Sequence, residues 1–391
     1  MKIGLVLPEA PQYSETFFNY KIKCLNDSGF DVKVFSGKKN KNKYSFKHFG
    51  AYPVYKNKKL KQFIMLVFVI LKTFAAAPSR TIKLLSTEIQ NGRSFLNSLK
   101  LLYMNAHIIT HELDWLHYGY ATMSVNRENL SEVMNAKTGI SFRGYDINIY
   151  PLKNPGCYNK LWSKVDRVHT ISDYLYKRAL ELGLSEKTEW KKITPAVDIS
   201  LFKLKTDAGI IKSPVRILTI GRLSWIKNYE TAISAIKILR EKGVNVIYTI
   251  IGSGSEFERL KFAAYQCGIE KNIIFAGKKK HSEITSIMDE SDIYLQTSYQ
   301  EGFCVSVLEA QAKGLLCIAS DADGLKENVI DGKTGWIVPK RDPSGIAEKI
   351  LEVINMPEEK RIETAMNARK RVEKEFTIEE QKIKFTEFFK N

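Results

Sequence analysis

Val215-Arg216-Ile217-Leu218-Thr219-Ile220-Gly221-Arg222-Leu223-Ser224-Trp225-Ile226-Lys227 is an apolar run that stops at a glycine and closes on two cations. Val215 to Ile220 reads as a strand and Tyr229 to Glu241 as a helix, with the glycine turn between them. The same grammar continues downstream. Val244 to Ile251, Asn272 to Ala276, Ile293 to Thr297, Leu315 to Ser320 and Gly335 to Val338 read as strands, separated by helices such as Glu256 to Gln266 and Ser282 to Glu290. Such alternation predicts right-handed βαβ units on a parallel sheet. Upstream the pattern is less regular, with candidate strands at Ile3 to Leu7, Val32 to Phe35, Ala106 to Thr110, Thr138 to Phe142 and Arg167 to Ile171. A chain of 391 residues exceeds what one hydrophobic core usually supports. We therefore expect two doubly wound domains joined near Lys203 to Pro214, with ligands outside the carboxyl ends of the strands, in a cleft between the domains.

The chemistry-bearing residues fall where such a fold would use them. Gly221 allows close approach to the backbone, Arg222 offers a permanently charged planar fork for two phosphate oxygens, and Lys227 a mobile point charge. Farther on, Glu301-Gly302-Phe303-Cys304-Val305-Ser306-Val307-Leu308-Glu309-Ala310 places two carboxylates eight positions apart around a helix start. A helix start presents unpaired N–H groups and a positive dipole end to an anion. A ligand with a sugar, a phosphate and a second sugar in series would meet Glu301, the helix start and Glu309 in turn. That describes a nucleotide sugar.

Together these two stretches resemble the donor site of the retaining glycosyltransferases of family 4, which have the GT-B fold of two Rossmann-like parallel-sheet domains. The resemblance runs through most of the chain and is strongest in its second half. It implies that Arg222 and Lys227 bind the donor diphosphate, that Glu301 contacts the transferred sugar, and that Glu309 holds the ribose. It places Gly221, Gly302, Phe303, Cys304 and Val305 along the donor, although glycine is common in the family where Cys304 stands. Gly252-Ser253-Gly254-Ser255 resembles a G-x-G turn near the donor base and phosphates; it lacks the third glycine of a dinucleotide fingerprint, because Phe257 is there. The implied divisions are an acceptor-binding domain over 1–204, a nucleotide-sugar domain over 205–372, and a terminal helix over 373–391 crossing back to the first domain. No cofactor and no metal are implied. The donor is a substrate, with a UDP-sugar favoured over a GDP-sugar.

On the acceptor side the resemblance is looser. Ile140-Ser141-Phe142-Arg143-Gly144-Tyr145-Asp146 resembles a family segment whose histidine sits at the reacting centre, and Arg143 replaces that histidine. An arginine is no base near neutral pH, so its catalytic role would be to orient the sugar or the diphosphate. Asp146 either holds the acceptor, orients Arg143 or caps the loop. Ser14, Glu15 and Thr16, before Phe17, match a turn of exopolysaccharide-type members and also read as the start of a capping box without its acid. His111 occupies an acceptor-side position. His107 and His111 lie on what reads as a strand, too far apart to share a metal.

The formal net charge is +17, and residues 1 to 100 hold 18 Lys or Arg against five Asp or Glu. This suits either a solvated lysine-rich face or attraction to an anionic membrane, and no nucleic-acid motif accompanies it. Phe63 to Leu71 is too short to span a bilayer and reads as a core helix, with an interfacial helix as the alternative. Five scattered cysteines suggest reduced thiols in a cytoplasmic protein, and no signal peptide is evident at the start. The expectation is a metal-independent hexosyltransferase of bacterial exopolysaccharide or lipopolysaccharide biosynthesis, peripheral on the inner face of the cytoplasmic membrane, acting on a saccharide or lipid-linked acceptor. A nucleotide-sugar 2-epimerase and a non-catalytic nucleotide-sugar-binding subunit are the rivals.

Overall fold

Thirteen strands, all paired in parallel, form two separate sheets in the computed structural model, which describes residues 1–11, 16–38 and 44–390, Thr16 by its backbone alone. The first unit comprises Met1–Ile193 with the segment from Lys382 onward, and the second comprises Thr194–Gln381. The first sheet contains β1 (Lys2–Leu7), β2 (Asp31–Ser36), β3 (Lys47–Gly50), β4 (Trp115–Tyr118), β5 (Lys137–Phe142), β6 (Arg167–Thr170) and β7 (Glu189–Lys192). Its order is β3-β2-β1-β4-β5-β6-β7. The second contains β8 (Val215–Ile220), β9 (Val246–Ile251), β10 (Ile273–Gly277), β11 (Ile293–Gln296), β12 (Leu316–Ser320) and β13 (Trp336–Val338), in the order β10-β9-β8-β11-β12-β13. Each order reverses direction once, between β1 and β4 and between β8 and β11. At such a switch point the two following loops leave in opposite directions and open a crevice at the carboxyl ends.

The second unit follows its sequence pattern closely. The Tyr229–Glu241 helix buries Ala232, Ile233, Ala235, Ile236 and Leu239 against a core that includes Ile217, Val246 and Ile293. That spacing is one face of a 3.6-residue period. In the first unit, Phe385, Phe388 and Phe389 of the Ile378–Lys390 helix join Ile3, Leu5 and Trp115 in one apolar cluster. The buried Lys21 ammonium lies 4.4 Å from the centre of the Phe385 ring and 3.0 Å from His117 Nε2.

Several first-unit expectations fail. Ala106 to Thr110 is not a strand: residues up to Ile109 end the Phe95–Ile109 helix, and the strand in that region is β4. Both histidine neighbourhoods therefore differ from the reading above, with His107 on the helix and His111 just past it. Phe63 to Leu71 lies within the Lys59–Ala76 helix and is only half a core segment: Met65, Leu66 and Val69 pack in a small cluster, while Phe63, Ile64, Phe68 and Leu71 are exposed. Among the described residues no single helix is long and apolar enough to cross a membrane.

Candidate functional site

The crevice between β8 and β11 gathers the charged residues of the second unit. After β8 the chain makes a short turn, Trp225–Lys227, and enters the Tyr229–Glu241 helix through Asn228, whose backbone is left-handed (φ 53°). Asn228 is pinned across the switch point: its side-chain nitrogen donates to Thr297 O at 3.0 Å, and Thr297 Oγ1 donates back to Asn228 O at 2.9 Å. This places the Lys227 ammonium in an ion pair with Glu301 Oε1. The same oxygen accepts from Ser298 Oγ at 2.9 Å. Burial lowers the Lys227 pKa, but Glu301 and Cys304 more than offset it, so the net shift is upward and the ammonium is secure. Arg222 is exposed and has no carboxylate partner among the described residues.

Beyond Glu301 the chain turns through Gly302, Phe303 and Cys304 into the Val305–Lys313 helix, which no side chain caps. Its first N–H groups therefore lack intrahelical acceptors and face the crevice end of the sheet. Three residues that sequence reasoning passed over fix this helix start. Asn328, fully buried, accepts from Cys304 N at 3.0 Å and donates to Cys304 O at 2.9 Å. Arg371 in turn donates to the carbonyls of Glu327 and Asn328. Tyr294 OH donates to Ser306 Oγ at 2.7 Å, and Ser306 Oγ to Ile220 O at 3.3 Å, so the helix start is tied to the end of β8. Tyr229 is the other residue missed. Its hydroxyl is buried without a partner among the described residues, 3.0 Å from where a Cβ on Gly221 would sit.

The two glycines of Gly252-Ser253-Gly254 have a local reason. A Cβ on Gly252 would overlap Gly221 O, and one on Gly254 would overlap Leu223 O. The loop after β9 lies directly on the loop after β8, with Leu223 N donating to Ser253 O at 3.0 Å. Gly252 and Gly254 thus shape the Arg222 loop from behind.

In the first unit, Arg143 follows β5. Its guanidinium lies 3.7 Å from the Phe17 ring centre and 4.4 Å from that of Phe18, and Nε donates to Gly119 O at 3.1 Å. Nη2 is buried with no partner among the described residues. Burial brings its pKa down to about 10, which still leaves a full charge at neutral pH. Asp146 spends its oxygens on backbone, accepting from Ala121 N, Arg143 N and Gly144 N at 2.9 to 3.0 Å. This is the loop-capping arrangement. His111 precedes β4 and packs on Phe49 (ring centres 4.1 Å apart) and Phe35. Burial, with Lys33 and Arg80 nearby, drives its pKa down to about 4, so it is neutral. Ser14 and Glu15 lie outside the described residues, as does the side chain of Thr16.

Residues 202–371, nearly all of the second unit, match the model of the family described as glycosyl transferases group 1. The second unit is a glycosyl transferase group 1 domain. Across the whole chain, the amylovoran biosynthesis glycosyltransferase AmsK of Erwinia amylovora is 27% identical over 400 residues, covering 96% of each protein. Among solved structures, sucrose-phosphate synthase from Thermosynechococcus elongatus superposes with a TM-score of 0.75 at 17% identity, over 99% of this chain and 98% of that one. HepE from Anabaena, solved with UDP and glucose, gives 0.72 at 17% identity with the same coverage. The chain is a glycosyltransferase, and both units together have the GT-B fold.

One candidate site residue has a pH signature. Glu309, on the Val305–Lys313 helix, has no hydrogen-bond partner among the described residues, and burial pushes its carboxyl from the ordinary 4.5 up to about 7. Between those values the folded chain holds a proton that the unfolded chain has lost. Stability therefore falls as pH rises through this window, by up to about 3 kcal/mol. Glu309→Gln should flatten that part of the profile, measured by denaturant unfolding across pH. An unchanged slope would place the titration elsewhere.

Proposed function

We propose that this glycosyltransferase moves a hexose from a nucleotide sugar, a UDP-sugar first, to a hydroxyl of a saccharide carried on a lipid, with retention of anomeric configuration, in the assembly of a bacterial surface polysaccharide. The observation that carries the donor half is the Lys227–Glu301 pair across the β8/β11 switch point, beside an uncapped helix start and the unpaired Arg222. HepE, which shares the fold, was solved with UDP and glucose, and AmsK is named for amylovoran biosynthesis; both support the reading.

The chemistry follows from where charge develops. The bond between the anomeric carbon and the β-phosphate oxygen breaks, and the nucleoside diphosphate leaves with added negative charge. Arg222, Lys227 and the Val305–Lys313 helix start stabilise that charge, the work a divalent ion does elsewhere. The acceptor hydroxyl bonds to the anomeric carbon from the same face and gives its proton to the departing phosphate oxygen. Glu301, released from part of its pairing with Lys227 as phosphate arrives, accepts hydrogen bonds from the transferred sugar. Glu309 accepts from the ribose, and Arg143 orients the sugar or the diphosphate.

The test is a thermal-shift screen of UDP, GDP and their sugars, followed by product analysis with labelled donor in the presence of chelator. A cognate nucleotide at a hundred times its Kd adds about 2.7 kcal/mol of stability. Transfer with retained configuration and no added metal is the expected product result. A changed sugar nucleotide released without transfer would instead indicate an epimerase, and binding without turnover over a panel of acceptors a non-catalytic subunit.

A further inference from the structure

The Lys59–Ala76 helix is apolar on two sides. Met65, Leu66 and Val69 pack with Tyr52, Tyr103 and Ala106 within the first unit. On the other side Leu60, Phe63, Ile64, Val67, Phe68 and Leu71 face solvent, with exposures from 40% at Val67 to 74% at Leu60. Steps of three and four residues align them in one stripe, which Phe74 extends to a length of roughly 21 Å. A soluble surface rarely carries so continuous an apolar patch without a partner.

The charges around the stripe select that partner. Lys56, Lys58, Lys59 and Lys61 cluster at the helix start and Lys72 lies near its end. Between Asp31 and Glu88 the sequence contains no Asp or Glu at all, and Glu88 is itself buried and paired with Arg93 at 2.7 Å. A two-fold contact between copies of the chain would set this lysine fringe against itself with no carboxylate to answer it. A spanning arrangement fails on length, and the following helix, Pro78–Gln90, turns away by 119° and buries Thr81, Leu84 and Glu88 in the unit. An anionic bilayer meets both demands, because acyl chains receive the stripe and headgroup phosphates receive the lysines.

We propose that the Lys59–Ala76 helix lies in the interface of an anionic membrane, its stripe at the acyl boundary and its lysines at the phosphate level. The inference stands on the helix itself. Only its consequence, that a lipid-linked acceptor is met at this surface, rests on the transferase reading.

Full-length protein is sedimented with vesicles of phosphatidylcholine alone and of phosphatidylcholine mixed with phosphatidylglycerol. The mixed vesicles should retain it, less strongly as salt rises. The triple variant Phe63→Gln/Phe68→Gln/Leu71→Gln changes only exposed positions and should weaken partitioning by at least roughly 100-fold. Lys58→Gln/Lys59→Gln/Lys61→Gln should cost roughly 100-fold on mixed vesicles and little on phosphatidylcholine. Calorimetric titration with UDP should be the same for wild type and both variants, so a failure of donor binding is read separately from a failure of docking. Wild type left in the supernatant with mixed vesicles would overturn the proposal, as would variants that pellet like wild type. A lipid-free dimer that the aromatic variant dissociates would also overturn it, in favour of a second copy.

Discussion

Replacing Lys227 with methionine lowers the rate of sugar transfer by roughly 10²- to 10³-fold, the usual effect of removing one fixed charge from a developing oxyanion. The same change leaves Glu301 charged with Ser298 Oγ as its nearest remaining donor. Because the two side chains are only 18% and 12% exposed, stability should also fall, by about 3 kcal/mol. Those two effects separate in the double variant Lys227→Met/Glu301→Gln. With no orphaned carboxylate its melting temperature should return most of the way to wild type, while transfer stays lost. If activity returned along with stability, the pair would be structural and the ammonium would have no part in the chemistry.

The second large effect comes from a residue that touches no ligand in this account. Gly252→Ala forces a methyl group into the carbonyl of Gly221, at a backbone φ of 146° that only glycine adopts easily. The neighbour is backbone, so it cannot turn aside as a side chain would. Either the β9 loop or the Arg222 loop must move. A loss of about 3 kcal/mol or more in denaturant unfolding is expected, together with a nucleotide affinity reduced more than the stability alone explains. Gly243→Ala is the control, since Gly243 also has positive φ (81°) but nothing within 4 Å of the added carbon. It should cost only about 1–2 kcal/mol and leave nucleotide affinity unchanged. Equal behaviour of the two variants would mean that the stacking of the two loops does not shape the site.

Much of the second unit was legible because its local pattern and its packing agree. The Tyr229–Glu241 helix has the bounds its pattern predicts, and β8 runs from Val215 to Ile220 as read. The first unit was harder for three physical reasons. A short apolar run such as Ala106 to Ile109 fits a buried helix as well as a buried strand, and periodicity cannot separate them. Glu189-Trp190-Lys191-Lys192 is an edge strand held by one neighbour, so its composition is polar and carries no strand signal. The hydrophobicity of Phe63 to Leu71 says only that the helix needs cover, and composition cannot reveal that the cover lies outside the chain.

For the candidate site, residue types at a strand end and a helix start pointed to Arg222, Lys227, Glu301 and Glu309, of which the structure pairs Lys227 with Glu301. The supports were not. Asn328 clamps Cys304 from 24 positions away, and Tyr294 reaches Ser306 and Ile220 through hydrogen bonds that no local pattern encodes. His111 and Asp146 were chosen by position along the chain, and their surroundings are aromatic rings in one case and backbone N–H groups in the other. Arg143 retains a buried nitrogen with no partner among the described residues, which is compatible with its place in the proposed mechanism.

A crystal structure of the full chain grown with UDP is the most direct measurement. The account predicts the diphosphate within hydrogen-bond reach of the first N–H groups of the Val305–Lys313 helix, of Arg222 and of Lys227, with the ribose hydroxyls on Glu309. A nucleotide bound away from the β8/β11 crevice, with the Lys227–Glu301 pair undisturbed and Arg222 still facing solvent, would contradict it.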